Sequence, residues 1–304
     1  MKILVTGGAG FIGSHVVDML IEYDYDVIIV DNFCTGKKVI VHPQVRLIKM
    51  DINSPHMEEV FGREQPDVVI HMAAQVNVTK SMLHPEADAE QNILGTIRLL
   101  GYCHKYHVQK LIFSSSCAVY GETKDCSITE TFPIQPLSFY GLSKYASERY
   151  IHLYCTLYQI PFTILRYANV YGPRQTSLGE GGVIATFFGK VLSGESPIIY
   201  GTGEQTRDYV YVKDIAKANV LAITEGTNEI VNIGSNRKTS VNELLKMMMS
   251  LTSIDSAVIR KPSRVGDIQH SRLDNTKAAT ILSWYPSYEL LDGLWETFNY
   301  YKEI

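Results

Sequence analysis

Tyr140 and Lys144 stand four residues apart in Tyr140-Gly141-Leu142-Ser143-Lys144. On a helix, that spacing puts both side chains on one face, with the ammonium beside the phenol. A phenol titrates near pH ~10, so it acts as a base at neutral pH only where a cation stabilises its anion. The pair is therefore a candidate acceptor for the proton of an alcohol. The chain holds 19 tyrosines, and most Tyr/Lys pairs at this spacing are surface neighbours, so the reading depends on the surroundings. Upstream, Ser114-Ser115-Ser116 closes an apolar run. Serines at the carboxyl end of a strand are placed for chemistry, although a polar turn has the same composition.

The elements that must carry these residues follow from apolar periodicity. Continuous Val/Ile/Leu-rich runs at 2–6, 26–30, 45–49, 68–71, 110–114 and 162–166 alternate with stretches of helical period at 12–23, 90–106 and 138–158. Such alternation predicts a parallel sheet covered on both faces, an α/β doubly wound fold. Tyr140 then opens the helix after the fifth strand, with Ser138 as its N-cap, and the positive helix end helps depress the phenol pKa. After about residue 172 the pattern loosens. A strand at 229–233 returns to the sheet, and helices at 241–251 and 290–301 complete a smaller, interleaved C-terminal region. The expected division is residues 1–172 with part of 205–235, against 173–204 with 236–304.

The first strand runs directly into Gly7-Gly8-Ala9-Gly10-Phe11-Ile12-Gly13, and a helix follows. Glycines there permit a tight turn and close approach of the backbone to a pyrophosphate, and the helix N-terminus offers amide donors. A glycine pattern alone is weak, but strand, turn and helix are in order here. Asp31-Asn32 ends the second strand, 18 residues beyond Gly13. A carboxylate at that point suits an adenosine ribose and repels a 2′-phosphate, which favours NAD over NADP. The bland alternative for Asp31-Asn32 is a solvated turn. Asp51-Ile52, after the third strand, could flank the adenine in the same crevice or be a turn.

Composition narrows the function. A net charge of −4 leaves no basic surface for nucleic acid. Five cysteines, odd in number and without C-x-x-C spacing, argue against a disulfide framework and a zinc site. Nine histidines form no H-x-x-x-H set, so no metal is expected. No apolar run approaches membrane-spanning length and the strand pattern begins at Lys2, so the expected location is the cytoplasm. His71 reads as structural, and Met247-Met248-Met249 as core filler.

Taken together, the motifs resemble an extended short-chain dehydrogenase/reductase of the nucleotide-sugar 4-epimerase type. The resemblance rests on residues 6–15, Asp31-Asn32, His71-Met72-Ala73-Ala74, Asn92, residues 114–121 and the Tyr140/Lys144 pair. It continues through Arg166-Tyr167-Ala168-Asn169-Val170-Tyr171-Gly172-Pro173-Arg174, residues 201–214 and Arg264-Val265-Gly266-Asp267. It implies that Tyr140 takes the proton of a sugar 4-hydroxyl, that Lys144 lowers the Tyr140 pKa and holds the nicotinamide ribose, and that Ser116 bridges the sugar oxygen and Tyr140. It adds Ala73, Ala74, Asn92 and Ser114 to the NAD site. For a UDP-sugar it implies Asn169, Val183, Ile184, Arg207, Arg264 and Asp267, with the smaller region as substrate domain. Guanidinium forks suit pyrophosphate oxygens. Tyr200 and Tyr209 fit base stacking and core equally. A homodimer built on the 90–106 and 138–158 helices is also implied, although the same apolar faces could pack on the sheet.

Departures from the family pattern bear on the activity. Relatives that dehydrate or decarboxylate carry an acidic residue just before the Val-Tyr-Gly of this loop. Here Cys117 and Ala118 stand there, and neither moves a proton as Asp or Glu does. Cys117 reads as a small buried filler. Simple redox at C4 remains, hence 4-epimerisation of a UDP-hexose. Ser271 occupies a gate position where a bulky aromatic restricts relatives to glucose and galactose, so N-acetylhexosamines are also expected to fit. Ala168 replaces a Phe that several relatives place against the nicotinamide. The alternatives are a UDP-glucuronate 4-epimerase, another nucleotide-sugar oxidoreductase, or a catalytically silent NAD or nucleotide-sugar sensor.

Overall fold

The computed structural model describes residues 1–36, 41–123, 126–176, 182–252, 257–263 and 268–303. Strands β1 (Lys2–Thr6), β2 (Asp26–Asp31), β3 (Arg46–Lys49), β4 (Val68–His71), β5 (Lys110–Ser116) and β6 (Phe162–Tyr167) join the Glu229–Ile233 strand in one seven-stranded sheet. All pairings are parallel, in the order Glu229–Ile233, β6, β5, β4, β1, β2, β3. The order reverses between β1 and β4, and ligand crevices form at the carboxyl ends of strands flanking such a switch.

Both sheet faces are buried, as the continuous apolar runs require. The helices of the N-terminal half are α1 (Phe11–Glu22), α2 (Met57–Glu64), α3 (Val78–Leu83), α4 (Pro85–Ala89), α5 (Gly95–Lys105) and α6 (Phe139–Tyr158). One face of the sheet packs on Val16, Val17 and Leu20 of α1, with Ile215, Ala218 and Trp284. The other packs on Phe61 of α2, Leu99, Leu100 and Cys103 of α5, and Ile151 and Cys155 of α6.

The helix expected over 90–106 begins at Pro85 and carries a π turn at Glu90–Leu94. Two hydroxyls explain it. The Asn92 carbonyl accepts from Thr96 Oγ1 at 2.6 Å and from Ser147 Oγ of α6 at 2.9 Å, so side chains intrude on the helix ladder.

A separate core gathers the C-terminal residues. Ile184, Phe187 and Phe188 of the Val183–Leu192 helix meet Leu244, Leu245 and Met248 of Val241–Thr252, and Leu294 and Phe298 of Leu290–Glu303. Short pairings link this region to the sheet. Tyr209–Tyr211 runs parallel to Asn169–Tyr171, and Thr206–Arg207 antiparallel to Thr239–Ser240.

Candidate active site

The glycine loop between β1 and α1 is closed by its own backbone. Gly7 N–H donates to the Val30 carbonyl at 2.8 Å and Gly10 N–H to the Gly7 carbonyl at 3.1 Å. A Cβ at Gly13 would lie 2.2 Å from that same carbonyl oxygen, so α1 can start this close only without a side chain there. Gly10 is the N-cap and supplies no side-chain cap, and the first turn of α1 carries no acidic residue. The positive helix end is therefore uncompensated by the chain, which suits an anion. Phe11 and Ile12 form the half-buried start of this helix, Phe11 lying edge-on to His15.

Asp31, at the end of β2, is buried. Its Oδ2 accepts from Ala9 N–H at 3.0 Å and its Oδ1 from Phe33 N–H at 2.7 Å. Asn32 Nδ2 donates to Asp51 Oδ2 at 2.6 Å, which brings Asp31-Asn32 and Asp51-Ile52 together at one crevice edge. The Ile52 side chain is buried, its Cδ1 packed against Gly95 of α5, so only its backbone is positioned to flank a ligand. Thr6 Oγ1 fixes the loop after β4 by accepting from Met72 and Ala73 N–H, both at 3.2 Å. The Ala73 backbone thus lies against Gly7 of the glycine loop.

His71 lies beneath this junction, Nδ1 bonded to Thr6 Oγ1 at 2.8 Å and Nε2 to Thr96 Oγ1 at 3.1 Å. Burial, helped by the Lys144 charge, pushes its pKa down to about 3, so it stays neutral and structural. Asn92 is a joint between elements. Its amide donates to Ser143 Oγ of α6 at 3.0 Å and to the Gln75 carbonyl at 3.0 Å, and its Oδ1 accepts from Gln75 N–H at 2.8 Å.

Ser138 caps α6, its Oγ accepting from Gly141 N–H at 3.1 Å. A Cβ at Gly141 would lie 2.5 Å from the Ala118 carbonyl oxygen, so the helix start packs directly on the turn after β5. That approach sets Tyr140, half-buried, within hydrogen-bonding reach of the Ser116 hydroxyl. Ser116 Oγ also accepts from Ala118 N–H at 3.2 Å.

Burial dominates the electrostatics of the pair. Burial pushes the Tyr140 phenol up to about 12, opposed by the Ser116 hydrogen bond and reinforced by Cys117 and Asp88. Lys144, one turn along α6, is anchored from the strand side. Its Nζ donates to the Ser114 carbonyl at 2.8 Å and lies 4.8 Å from the Phe113 ring centroid. Burial lowers the Lys144 pKa to about 8, against the charges of Asp88 and Glu148. Ser114 likewise acts through its carbonyl, because its hydroxyl is turned to Tyr167 at 3.0 Å.

On the substrate side, Ser271 is buried and Cys117 half-buried, and the thiol is within hydrogen-bonding reach of the Ser271 and Ser116 hydroxyls. Cys117 packs against the sheet core, as a small filler would, and burial pushes its thiol up to about 11, away from nucleophilic use. Asn169 is exposed with its N–H bonded to the Asp208 carbonyl at 2.9 Å. Half-buried Arg207 acts on the Cys117 thiol as a nearby charge. Ile184 is buried in the C-terminal core, and Val183 is half-buried against the edge of the same core. Tyr209 is buried and Tyr200 half-buried. Arg264 and Asp267 lie outside the described residues. Among the described residues there is no His/Cys/Asp/Glu group arranged to hold a metal, and no helix long and apolar enough to cross a membrane.

Residues 3–234 match the model of the NAD dependent epimerase/dehydratase family. The chain belongs to that family. A protein of Methanocaldococcus jannaschii named putative UDP-glucose 4-epimerase is 48% identical over 301 residues, covering 99% of this chain and 98% of its own. The UDP-glucose 4-epimerase of Thermotoga maritima, solved with UDP-glucose, superposes with a TM-score of 0.98 at 45% identity, covering 100% of this chain and 99% of its own. A UDP-N-acetylglucosamine 4-epimerase of Methanobrevibacter ruminantium, in complex with UDP-N-acetylmuramic acid, gives 0.95 at 35% identity, covering 99% of this chain and 98% of its own.

The residues present fit the NAD of an NAD dependent epimerase/dehydratase. The loop closed at Gly13 and the open end of α1 suit a pyrophosphate, and the carboxylate of Asp31 would repel a 2′-phosphate. Sequence reasoning missed a buried support behind this family site. Glu148 of α6 pairs with Arg166 of β6 through Nε at 2.9 Å and Nη2 at 2.6 Å, and also accepts from Ser115 Oγ at 2.5 Å. The signal was available in part: Glu148 follows Lys144 by one helical turn, and a charged Arg166 stands in an otherwise apolar strand.

Proposed function

We propose that this protein interconverts the C4 epimers of UDP-hexoses, glucose and galactose, and of their 2-acetamido counterparts. The observation that carries the reading is the Ser116–Tyr140–Lys144 set at the ends of β5 and α6, with Cys117 and Ala118 where dehydrating and decarboxylating relatives have an acid. Bound NAD supplies a hydride acceptor and donor. Tyr140 takes the proton of the 4-hydroxyl, because an alcohol gives up hydride only as its proton leaves. Ser116 donates a hydrogen bond to the phenolate, which favours the ionised form. Lys144, held by the Ser114 carbonyl, supplies positive charge one turn away. The 4-keto sugar then presents its other face, and Tyr140 returns the proton. Asn169, Val183, Arg207, Arg264 and Asp267 are assigned to the nucleotide sugar, and the crevice from Gly7 to Asn92 to NAD.

Ser271 supports the wider sugar range. The Ser271 side chain, beside Cys117, fills far less volume than an aromatic would, and a group is excluded by filling space. The test is incubation of purified protein, without added NAD, with UDP-glucose, UDP-N-acetylglucosamine and UDP-glucuronate in turn. Interconversion of the first two pairs without accumulating NADH is expected; turnover of UDP-glucuronate alone, or steady NADH production, would overturn the reading.

The partner we assign is a second copy of the chain. Leu142, Tyr150, Leu153 and Leu157 form an exposed stripe on α6 at helical spacing, on the side away from the sheet. Leu153→Arg should convert a dimer to a monomer in light scattering, and a wild-type monomer would refute the assignment.

A further inference from the structure

Asp88 has been named above only as a charge near Tyr140 and Lys144, with no role in the proposed steps. It lies in α4, 1% exposed, and its Oδ1 accepts from Gln75 Nε2 at 2.7 Å and from Asn92 Nδ2 at 3.3 Å. Both donors are neutral amides. Its Oδ2 is buried without a hydrogen-bond partner. A carboxylate buried this way is costly unless its charge is used.

The structure points to a use. Asn92 bonds Asp88 on one side and Ser143 on the other, and Ser143 precedes Lys144 on α6. Gln75 joins the same carboxylate to the loop that follows β4. Asp88 therefore stands at the node where the cofactor loop, the π turn and the catalytic helix meet. We propose that Asp88 is a positioning residue whose charge holds Lys144 in its ammonium form beside Tyr140, within the epimerase site assigned above.

The neighbouring charges favour this assignment. Glu148 also faces Lys144, but Arg166 engages both of its oxygens. His71 faces Lys144 and is neutral. Around Tyr140, Ser116 is uncharged and Cys117 stays a thiol. Asp88 acts on both members of the pair, raising the proton affinity of Lys144 and of Tyr140. Burial alone would bring Lys144 toward neutrality near physiological pH, and Asp88 opposes that.

The consequence is directional. Lys144 must keep its proton while Tyr140 gives its own up, and the two titrate as a coupled pair. Removing the Asp88 charge lowers both proton affinities. Both limbs of the pH–rate profile should therefore move to lower pH in Asp88→Asn, by roughly one unit. On the alkaline limb, activity should drop about tenfold relative to wild type and recover as pH is lowered. Asp88→Glu should restore the wild-type limbs. Asp88→Ser serves as a second neutral variant if Asp88→Asn fails to fold. An uncharged variant whose limbs superpose on wild type, at whatever rate, would overturn the proposal.

A second readout does not need turnover. Tyrosinate absorbance, taken as the difference between the protein and its Tyr140→Phe variant, should titrate at lower pH in the Asp88→Asn background. An unmoved titration overturns the role of Asp88. Absence of epimerase activity in the wild type would overturn the function assigned above and leave this titration as the test.

Discussion

The cofactor loop and the catalytic pocket lie in one crevice but are built from opposite materials. Around Gly7, Gly10 and Gly13 the structure is backbone bonded to backbone, with one carboxylate, Asp31, locked by two amides. Around Tyr140 it is side chains held against their solution preferences: a phenol pushed up to about 12 and an ammonium pushed down to about 8. The first arrangement suits a ligand that is meant to stay. The second suits a proton that must move, and burial makes each group sensitive to its neighbours. Substitutions in the two regions should therefore fail in different ways.

Tyr140→Phe removes the base and little volume. Turnover of UDP-glucose should drop by roughly 10²–10⁴-fold, with NAD retained, measured by steady-state assay and by cofactor release on denaturation. Retained turnover would sink the proton-transfer role and restore the silent-sensor alternative. Gly13→Val should do the reverse. Its Cβ meets the Gly7 carbonyl oxygen at 2.2 Å, so α1 must shift, at about 1–3 kcal/mol of stability. The variant should purify without NAD and melt lower, while the Tyr140 environment stays intact. If NAD remained bound, the loop would not be the cradle assigned here.

Ser271→Tyr addresses the pocket wall. The ring would fill space beside Cys117, and UDP-N-acetylglucosamine turnover should fall about 10–200-fold relative to UDP-glucose. Equal losses on both sugars would mean that the site was damaged and not narrowed.

How much of this was legible in the sequence depended on how local each feature is. The strands were readable because Val, Ile and Leu run unbroken through segments buried on both faces, and the observed ends extend the expected 26–30, 110–114 and 162–166 by one or two residues. Ser138 as a cap and Gly7 to Gly13 as a turn depend on neighbours in the chain, so they too were readable. The π turn was not, because one of the two hydroxyls on the Asn92 carbonyl comes from Ser147 of a different helix. Nor was the partner of Lys144: helical spacing brings it near Tyr140, but the Ser114 carbonyl lies 30 residues upstream. Ile52 and Ile184 were assigned to ligands on motif grounds, and their side chains went to the core. Asp88 carried no pattern at all, and its place became visible only once Gln75, Asn92 and α6 were assembled around it.

The comparison sharpens once more in acid. His15 in α1 is buried, its Nε2 donating to the Pro173 carbonyl at 3.0 Å, and burial lowers its pKa to about 4. His71 is lowered to about 3. Both belong to the nucleotide half, and both are neutral when folded but gain a proton near pH 6.5 when unfolded. Stability from these two is present above pH 6.5 and is lost as pH falls through about 4 and then about 3. Asp208, beside the pocket, has the opposite sign. Burial raises its pKa to about 6, opposed by hydrogen bonds from Ser235, Leu273 and Asn236, so it binds a proton more tightly folded than unfolded. Its contribution is full below its unfolded pKa near 3.8 and is lost as pH rises through 6. Between pH 6 and 4, two histidines oppose one aspartate, leaving these three groups with a net loss approaching 1.4 kcal/mol per pH unit on acidification. His15→Gln keeps a donor for Pro173 and removes the titration. Its thermal midpoint should fall less steeply than that of wild type between pH 6 and 4, and parallel slopes would show that His15 is not neutral in the fold.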